Sequence, residues 1–188
     1  MGVETTRTHE DDDRFGGGVR FSLPSGVSAE FVTVSDPHYR QVTDPHAPRS
    51  GTAPVDLDHI TLMTDDIEAD VEFCEDLGFR VSEVHHLDED TWRFAWTRYG
   101  TQHHDVAFVN TDESSYTLHH LAFMFASVDH MKTYLDYMAG AGHEIEVGVS
   151  RHAVGSNIFA YFRAPDGNRI ELSTELATLD DATETRVN

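Results

Sequence analysis

The feature that most constrains the fold of this chain is an internal duplication, in which one order of strands and helix occurs twice. Residues 55–110 predict a strand, a helix and three further strands, and residues 116–174 predict the same order again. The opening strands are similar in sequence, DHITLMT in the first repeat and HHLAFMF in the second. We therefore predict an α+β fold in which two βαβββ modules pair to form one domain.

The helices are predicted from apolar residues that recur every three or four positions. Residues 65–77 place Ile67, Val71 and Cys74 on one face, and Gly78 can end this helix. The second helix is predicted over residues 128–138. The predicted strands are 55–63, 79–86, 91–99 and 104–110 in the first repeat, and 116–125, 143–149, 157–162 and 169–174 in the second.

A second repeat of spacing links the N-terminal part of the chain to the end of the second module. Phe21, Pro24, Gly26 and Glu30 recur with the same spacing as Phe162, Pro165, Gly167 and Glu171. We interpret residues 19–34 as two strands around a turn, the closing hairpin of an earlier module. With the proline-rich linker that follows, residues 19–54 are then the remnant of a truncated N-terminal domain.

The ends of the chain have a different composition from the modules. Residues 1–18 are acidic, rich in glycine and without periodicity, which predicts disorder. Residues 175–188 are predicted to be an acidic tail, frayed or folded into a short helix.

The charge balance restricts the partners of the protein. The chain has 34 acidic residues against 13 Lys and Arg, a formal net charge of −21. Binding to nucleic acid requires a basic surface, and an acidic membrane would repel this chain, so we expect neither partner. So large a negative charge also predicts a halophilic protein, whose self-repulsion is screened by salt. Folding and activity without added salt would contradict that prediction.

Two further features concern location and cysteine chemistry. No apolar run approaches the ~18 residues that a membrane span requires, and we expect a cytoplasmic protein. Cys74 is the single cysteine, which rules out an intramolecular disulfide and a thiolate-rich metal site. Because it lies in the apolar stripe of the first helix, we interpret it as a packed thiol.

Three residues are candidates for one metal site. His59 and His120 occupy matching positions near the starts of the two modules, and Glu171 follows a Pro-Asp-Gly-Asn turn on the last strand. Two imidazoles and one carboxylate form the facial triad of non-haem Fe(II) oxygenases, which leaves positions for a vicinal diol and dioxygen. The same ligands also suit Mn(II). Taken singly, each residue is more typical of a packed or solvated side chain; the symmetry of the positions favours ligands.

Five segments in this order carry a resemblance to a known family: LDHITLMTDD, HDVAFVN, LHHLAF, SRH and AYFRAPDGNRIEL. With them, residues 55–174 resemble the vicinal oxygen chelate superfamily. More narrowly, this region resembles the catalytic, C-terminal domain of type I extradiol ring-cleaving dioxygenases of the catechol 2,3-dioxygenase kind. The resemblance implies one catalytic domain built around a metal site, with residues 55–110 and 116–174 as its two modules.

The resemblance also implies roles for individual residues. His59, His120 and Glu171 match the metal ligands of the family. His104, His152 and Tyr161 match residues that act on the substrate. In the implied reaction, Tyr161 hydrogen-bonds the deprotonated catechol oxygen, His104 exchanges protons and His152 donates a hydrogen bond. Strand alternation allows only one of His103 and His104 to point inward, and His104, directly before Asp105, matches the family better. By the same argument, only one of His119 and His120 faces inward.

Several alternatives remain open at this level. A glyoxalase-like lyase or isomerase would use a related metal centre without dioxygen, and a binding module of the bleomycin-resistance type would need no metal. An inactive fragment is a third alternative, because the chain lacks most of the N-terminal domain of two-domain relatives. The expected partners are a small aromatic diol and O2, with a homo-oligomer or a separately encoded N-terminal half as protein partners.

Overall fold

The computed structural model describes residues 3–9, 15–34, 51–111 and 117–188. The chain divides into two compact units, Met1–Gly51 and Thr52–Asn188. Most of the predicted linker, residues 35–50, lies outside the described residues, as do residues 10–14 and 112–116. Neither helix in the described ranges has the length and apolar character to cross a membrane.

The first unit is a three-stranded antiparallel sheet. Its strands are β1 (Thr6–Thr8), β2 (Phe15–Ser22) and β3 (Ser28–Val34), in the order β1-β2-β3. The hairpin of β2 and β3 agrees with the sequence prediction, whereas β1 and the start of β2 fall where disorder was predicted. That prediction is wrong for these residues because β1 pairs with β2 from Thr6 opposite Arg20 to Thr8 opposite Gly18. Such pairing depends on backbone groups, which composition does not reveal.

The spacing shared by residues 21–30 and 162–171 corresponds to a shared turn geometry. In the first hairpin, Leu23 N donates to Val27 O and Gly26 N donates to Leu23 O. The equivalent bonds in the second unit run from Ala164 N to Asn168 O and from Gly167 N to Ala164 O. Gly26 and Gly167 have φ values of 84° and 88°, a backbone conformation that favours glycine. The two hairpins therefore share one turn.

The second unit contains both predicted modules. The first has β4 (Asp56–Thr64), α1 (Ile67–Asp76), β5 (Arg80–His86), β6 (Trp92–Arg98) and β7 (Val106–Asn110). The second has β8 (Thr117–Met124), α2 (Val128–Gly140), β9 (Ile145–Arg151), β10 (Ile158–Arg163) and β11 (Arg169–Thr174). A short strand, β12 (Arg186–Val187), follows.

These strands form one nine-stranded sheet in the order β12-β5-β6-β7-β4-β8-β11-β10-β9. The opening strands of the modules, β4 and β8, pair antiparallel at the centre. Each has the closing strand of its own module as a parallel neighbour, β7 beside β4 and β11 beside β8. The strand order is therefore the same on both sides of the centre, and the predicted α+β fold with two paired βαβββ modules is confirmed.

The helices cover apolar side chains of the sheet. Helix α1 begins after Asp66, whose side chain accepts a hydrogen bond from Ala69 N, and it buries Ile67, Val71 and Cys74. Burial raises the pKa of the Cys74 thiol to about 12, as for a packed residue rather than a nucleophile. Helix α2 buries Met131 and Met138. These two side chains form one apolar cluster with Phe125, Phe162 and Leu172.

Two boundaries differ from the sequence prediction in ways that affect the site. Strand β7 begins at Val106, so His103 and His104 precede it, in a segment without strand alternation. The acidic tail is neither frayed nor helical at its end, because β12 pairs in parallel with β5, Arg186 opposite Glu83. Asn188 consequently lies beside β5, and its backbone N–H donates to Val84 O.

Candidate metal centre

The register of three neighbouring strands brings the predicted ligands together. Across β4 and β8, His59 lies opposite Ala122 and Thr61 lies opposite His120. Across β8 and β11, Ala122 lies beside Glu171. His59 and Glu171 therefore flank Ala122 from its two neighbouring strands, with His120 two residues away on the same face of β8.

The three side chains meet in a compact triangle. His59 Nε2 lies 3.2 Å from His120 Nε2, and Glu171 Oε2 lies 3.5 Å from the first and 3.0 Å from the second. Ligand atoms at right angles around a metal, each about 2.1 Å from it, are roughly 3 Å apart. Among the described residues, Glu171 Oε2 is buried and accepts no well-aligned hydrogen bond. The triangle thus fits one metal ion.

The carboxylate of Glu171 is held from one side. Asn157 donates from Nδ2 to Glu171 Oε1 at 2.9 Å and to Ser173 Oγ at 3.0 Å. Asn157 is fully buried, so these bonds replace its contact with water. Because Oε1 is occupied, Oε2 is the oxygen left for a metal. Sequence analysis missed Asn157, since an asparagine at a strand start gives no signal of this role.

The imidazoles also have neighbours that orient them. Asp58 Oδ2 lies 3.5 Å from His59 Nδ1, on the opposite side of the ring from the metal triangle. Carboxylates in this position fix the tautomer and raise the basicity of a metal-binding histidine. Thr61 Oγ1 lies 3.0 Å from His120 Nε2. The Asp-His pair could have been found in the sequence, because the two residues are adjacent.

His119 does not follow the strand-alternation argument. Its Nδ1 lies 2.7 Å from His120 Nδ1, and it lines the same pocket as His120. Arg169 on the adjacent strand holds the other side of the ring, with Nη1 3.0 Å from His119 Nε2. Contact with β11 therefore keeps both rings near the centre, where the sequence predicted only one.

Burial and charge act against each other at the ligands. Burial disfavours protonated His59, but the contacts with the carboxylates of Asp58 and Glu171, each at 3.5 Å, outweigh it and raise the pKa of His59 to about 9. Burial also disfavours ionised Glu171, yet the contacts with His120 at 3.0 Å and His59 at 3.5 Å hold the pKa of Glu171 well below its usual value. Without metal, the centre therefore binds one proton on His59 near neutral pH.

This proton gives a prediction for metal binding. A metal requires neutral His59, so each bound ion should displace one proton below about pH 9. We expect the apparent affinity for a divalent metal to fall roughly tenfold per unit of pH from 8 to 7. Calorimetric titrations in buffers of different ionisation enthalpy measure the protons released. A metal affinity that is independent of pH, with no proton release, would contradict the raised pKa of His59.

A pocket of about 460 Å³ opens beside the triangle. That volume suits a small organic ligand. The three predicted substrate-contacting residues, His104, His152 and Tyr161, all line it together with the three ligands. The ring centres of His104 and His59 are 4.2 Å apart, and His152 Nε2 lies 3.3 Å from the Tyr161 hydroxyl. His152 also stacks on Phe159, with ring centres 3.6 Å apart.

Burial sets the protonation of these three groups. It raises the pKa of Tyr161, with the negative charge of Glu171 adding to the effect, so the phenol stays protonated and can donate. Burial and the neighbouring His59 hold the pKa of His104 well below its usual value. Burial also lowers the pKa of His152. These three residues thus present one hydroxyl donor and two neutral imidazoles to the pocket.

The pocket wall includes residues that sequence analysis did not single out. Phe94, Trp96 and His85 line the side formed by the first module. The predicted His104, and not His103, lines the pocket, but the strand-alternation argument does not apply to the two residues. Both are buried, each 4% exposed, because they precede β7, and only His104 lines the pocket.

Comparisons with known proteins bear on the family to which this chain belongs. A family model described as the Glyoxalase/Bleomycin resistance protein/Dioxygenase superfamily matches residues 56–172. Metapyrocatechase 2 of Cupriavidus necator is 32% identical over 121 residues, which is 64% of this chain and 36% of that protein. The iron-dependent extradiol dioxygenase of Rhodococcus jostii (strain RHA1) is 26% identical over 188 residues, 95% of this chain and 62% of that protein.

A solved structure gives the same result for the fold. The homoprotocatechuate 2,3-dioxygenase of Arthrobacter globiformis superposes with a TM-score of 0.84 and 29% sequence identity. The superposition covers 99% of this chain and 58% of that one. The chain thus spans between about a third and two-thirds of the length of these three proteins.

Proposed function

Because the chain belongs to the Glyoxalase/Bleomycin resistance protein/Dioxygenase superfamily, we propose that it is an Fe(II)-dependent extradiol dioxygenase of the catechol 2,3-dioxygenase type. It would cleave a catechol-type ring beside the two hydroxyls and incorporate both atoms of O2. The observation that carries this proposal is the buried triangle of His59, His120 and Glu171 in a pocket that also presents His104, His152 and Tyr161. The names of the relatives, metapyrocatechase and extradiol dioxygenase, describe this class of reaction.

Iron is the metal that we propose for the centre. Two imidazoles and one carboxylate suit Fe(II), and a relative is named for its dependence on iron. Bound Fe(II) would acidify a coordinated catechol hydroxyl and bring the diol and dioxygen side by side. The same ligands suit Mn(II), so measured metal content has to identify the native ion.

The protein residues would control the protons of the substrate. Tyr161 can donate its hydroxyl proton in a hydrogen bond to a deprotonated catechol oxygen. His104 is neutral and lies next to His59, so it can accept the second catechol proton and later return one. His152, 3.3 Å from the Tyr161 hydroxyl, can donate to an oxygen of the bound molecule. These are the roles that the family resemblance implies for the three residues.

The alternatives explain the site less well. A binding module of the bleomycin-resistance type would have no need of three buried ligand atoms that meet at 3.0–3.5 Å. A glyoxalase-like lyase or isomerase would use the metal but not the three residues that line the rest of the pocket. An inactive fragment would not need to keep His59, His120 and Glu171 in an arrangement that fits a metal ion.

Protein partners belong to the same proposal. The edge strand β9 exposes Ile145, Val147 and Val149, which are 36%, 47% and 54% exposed. Exposed aliphatic side chains on a sheet edge favour coverage by another chain. A homo-oligomer and a separately encoded N-terminal half both fit this edge. They stay predictions, as does a cytoplasmic location.

The charge of the pocket narrows the substrate class. Of the described residues that line the pocket, none is Arg or Lys. Arg169 lies near Tyr161, but Glu146 binds it through contacts of 2.6 and 3.0 Å. Arg151 is bound by Glu175 at 2.6 Å. A substrate carboxylate would therefore meet no Arg or Lys among the described lining residues, and we propose an uncharged catechol.

This proposal predicts a preference between two substrates of similar size. The methyl ester of 3,4-dihydroxyphenylacetate should be cleaved with kcat/KM at least about tenfold higher than the free acid, because a buried unpaired charge is costly. The ester serves as the matched control for shape. Oxygen consumption measures both rates. An equal or higher kcat/KM for the acid would show that a cation does reach the substrate.

The reaction itself can be tested directly. We would load the protein with Fe(II) without air, add catechol and oxygen, and follow oxygen uptake with the yellow ring-opened product. His120→Ala, which removes one ligand, is measured in parallel. Oxygen uptake and colour in the unchanged protein alone would support the proposal. A folded protein that binds one metal and consumes no oxygen with any catechol would refute it.

A further inference from the structure

A buried carboxylate next to the pocket wall belongs neither to the pocket lining nor to the metal triangle. Glu83 on β5 is 3% exposed and belongs to none of the groups used so far. Its Oε1 lies 2.7 Å from His85 Nε2 and accepts a hydrogen bond from Asn188 Nδ2, also at 2.7 Å. Its Oε2 lies 3.5 Å from His103 Nε2. Glu83 therefore contacts a residue of the pocket wall and the neighbour of His104.

The contacts continue from His103 into the pocket. His103 Nδ1 lies 3.0 Å from His104 Nδ1, and the two rings are perpendicular. His104 lines the pocket, with its ring centre 4.2 Å from that of His59. Since Nδ1 of His104 faces His103, Nε2 is the nitrogen left for a ligand in the pocket. Glu83, His103 and His104 thus form one line of contacts that ends in the pocket.

The donor and acceptor roles along this line follow from one another. A carboxylate can only accept, so the 3.5 Å contact of Glu83 Oε2 with His103 Nε2 favours the tautomer of His103 with its proton on Nε2 and a lone pair on Nδ1. The contact between the two Nδ1 atoms then requires the proton on Nδ1 of His104. Neutral His104 consequently keeps its lone pair on Nε2. Burial, which lowers the pKa of both His103 and His104, favours the neutral rings that this order needs.

We propose that Glu83 and His103 are positioning residues that fix the tautomer of His104, so that its Nε2 lone pair faces the substrate. A general base needs this lone pair, because the other tautomer presents an N–H to the substrate hydroxyl. The kinetic consequence rests on the proposed dioxygenase function, whereas the tautomer itself does not.

The sharpest test is Glu83→Gln, which keeps the size of the side chain. Asn188 and His85 hold the carbonyl oxygen of the new amide, which turns its NH2 group toward His103 Nε2. The order of protons then inverts along the line, and His104 should carry its proton on Nε2. Nitrogen-15 chemical shifts of labelled histidines distinguish the two tautomers in the Zn(II)-loaded, diamagnetic protein. The missing signals of a His104→Phe sample identify His104.

We expect a proton on Nδ1 of His104 in the unchanged protein and on Nε2 in Glu83→Gln. A proton on Nε2 in the unchanged protein, or no change in the variant, would overturn the proposal whether or not the protein cleaves catechols. His103→Leu provides a second measurement, since it removes the acceptor for His104 Nδ1 and should give a mixture of tautomers. A single unchanged tautomer in His103→Leu would also overturn it.

Kinetics of the Fe(II)-loaded protein complete the test. For Glu83→Gln, kcat should fall on the order of 10- to 100-fold, because part of the about 10²- to 10⁴-fold contribution of general acid–base catalysis is lost. KM should change by less than about threefold, because the substrate contacts remain. Glu89→Gln, the same substitution at an exposed position after β5, should leave both constants unchanged. An unchanged kcat in an active Glu83→Gln protein would refute the positioning role.

Discussion

Replacing Glu171 with glutamine is expected to abolish tight metal binding while the protein stays folded. The substitution removes the only carboxylate of the triangle and turns an amide toward the two imidazoles, 3.5 and 3.0 Å away. The amide keeps an oxygen for the hydrogen bond from Asn157 Nδ2, so packing should change little. We expect metal affinity to fall by more than about 100-fold, beyond what loss of a supporting residue costs.

Equilibrium dialysis against Fe(II) without air, followed by metal analysis, measures this loss. Glu72→Gln on α1 is the control, since Glu72 is exposed and distant in sequence from all three ligands. It should bind metal like the unchanged protein. If Glu171→Gln retained one tightly bound ion per chain, the triangle would not be the metal site.

Replacing His104 with phenylalanine is expected to stop the reaction and leave the metal in place. The aromatic ring preserves the tilted ring contact with His59, with ring centres 4.2 Å apart, but cannot accept a proton. General acid–base catalysis contributes about 10²- to 10⁴-fold, so kcat should fall by that factor. Metal content should equal that of the unchanged protein, because His104 is not a member of the triangle.

His86→Phe is the matched control for this substitution. His86 lies on β5, is exposed and stacks on Trp92 rather than lining the pocket. Steady-state oxygen uptake with saturating catechol compares the two variants. Loss of metal from His104→Phe would assign the residue to the metal site. An unchanged kcat would mean that another group, such as His152, takes the proton.

The internal repeat predicted most of the fold, because repeated modules pair about a shared centre. His59 and His120 occupy matching positions in the repeat, and β4 and β8 are central neighbours. The hairpin that carries Glu171 was recognisable from its proline and glycine spacing, which the first unit repeats with the same turn. Periodicity and turn chemistry are local properties, so sequence alone contains them.

What the sequence did not predict depends on contacts between distant segments. Glu83 and His103 are 20 positions apart and meet only because β5 and the segment before β7 approach each other. Asn157, directly before β10, donates a hydrogen bond to Glu171 on the neighbouring strand β11. The alternation argument for His103 and His104 was wrong because it assumed a strand where the chain bends. The salt requirement predicted from the net charge of −21 stays a prediction.

Ring opening with labelled dioxygen tests the central claim most directly. The protein, purified in concentrated KCl and loaded with Fe(II) without air, is mixed with catechol under ¹⁸O₂, and the product is analysed by mass spectrometry. We predict a ring opened beside the diol, carrying both atoms of one labelled dioxygen molecule. Unchanged catechol, or a product without label, from a folded protein that holds one iron per chain would contradict the proposed function.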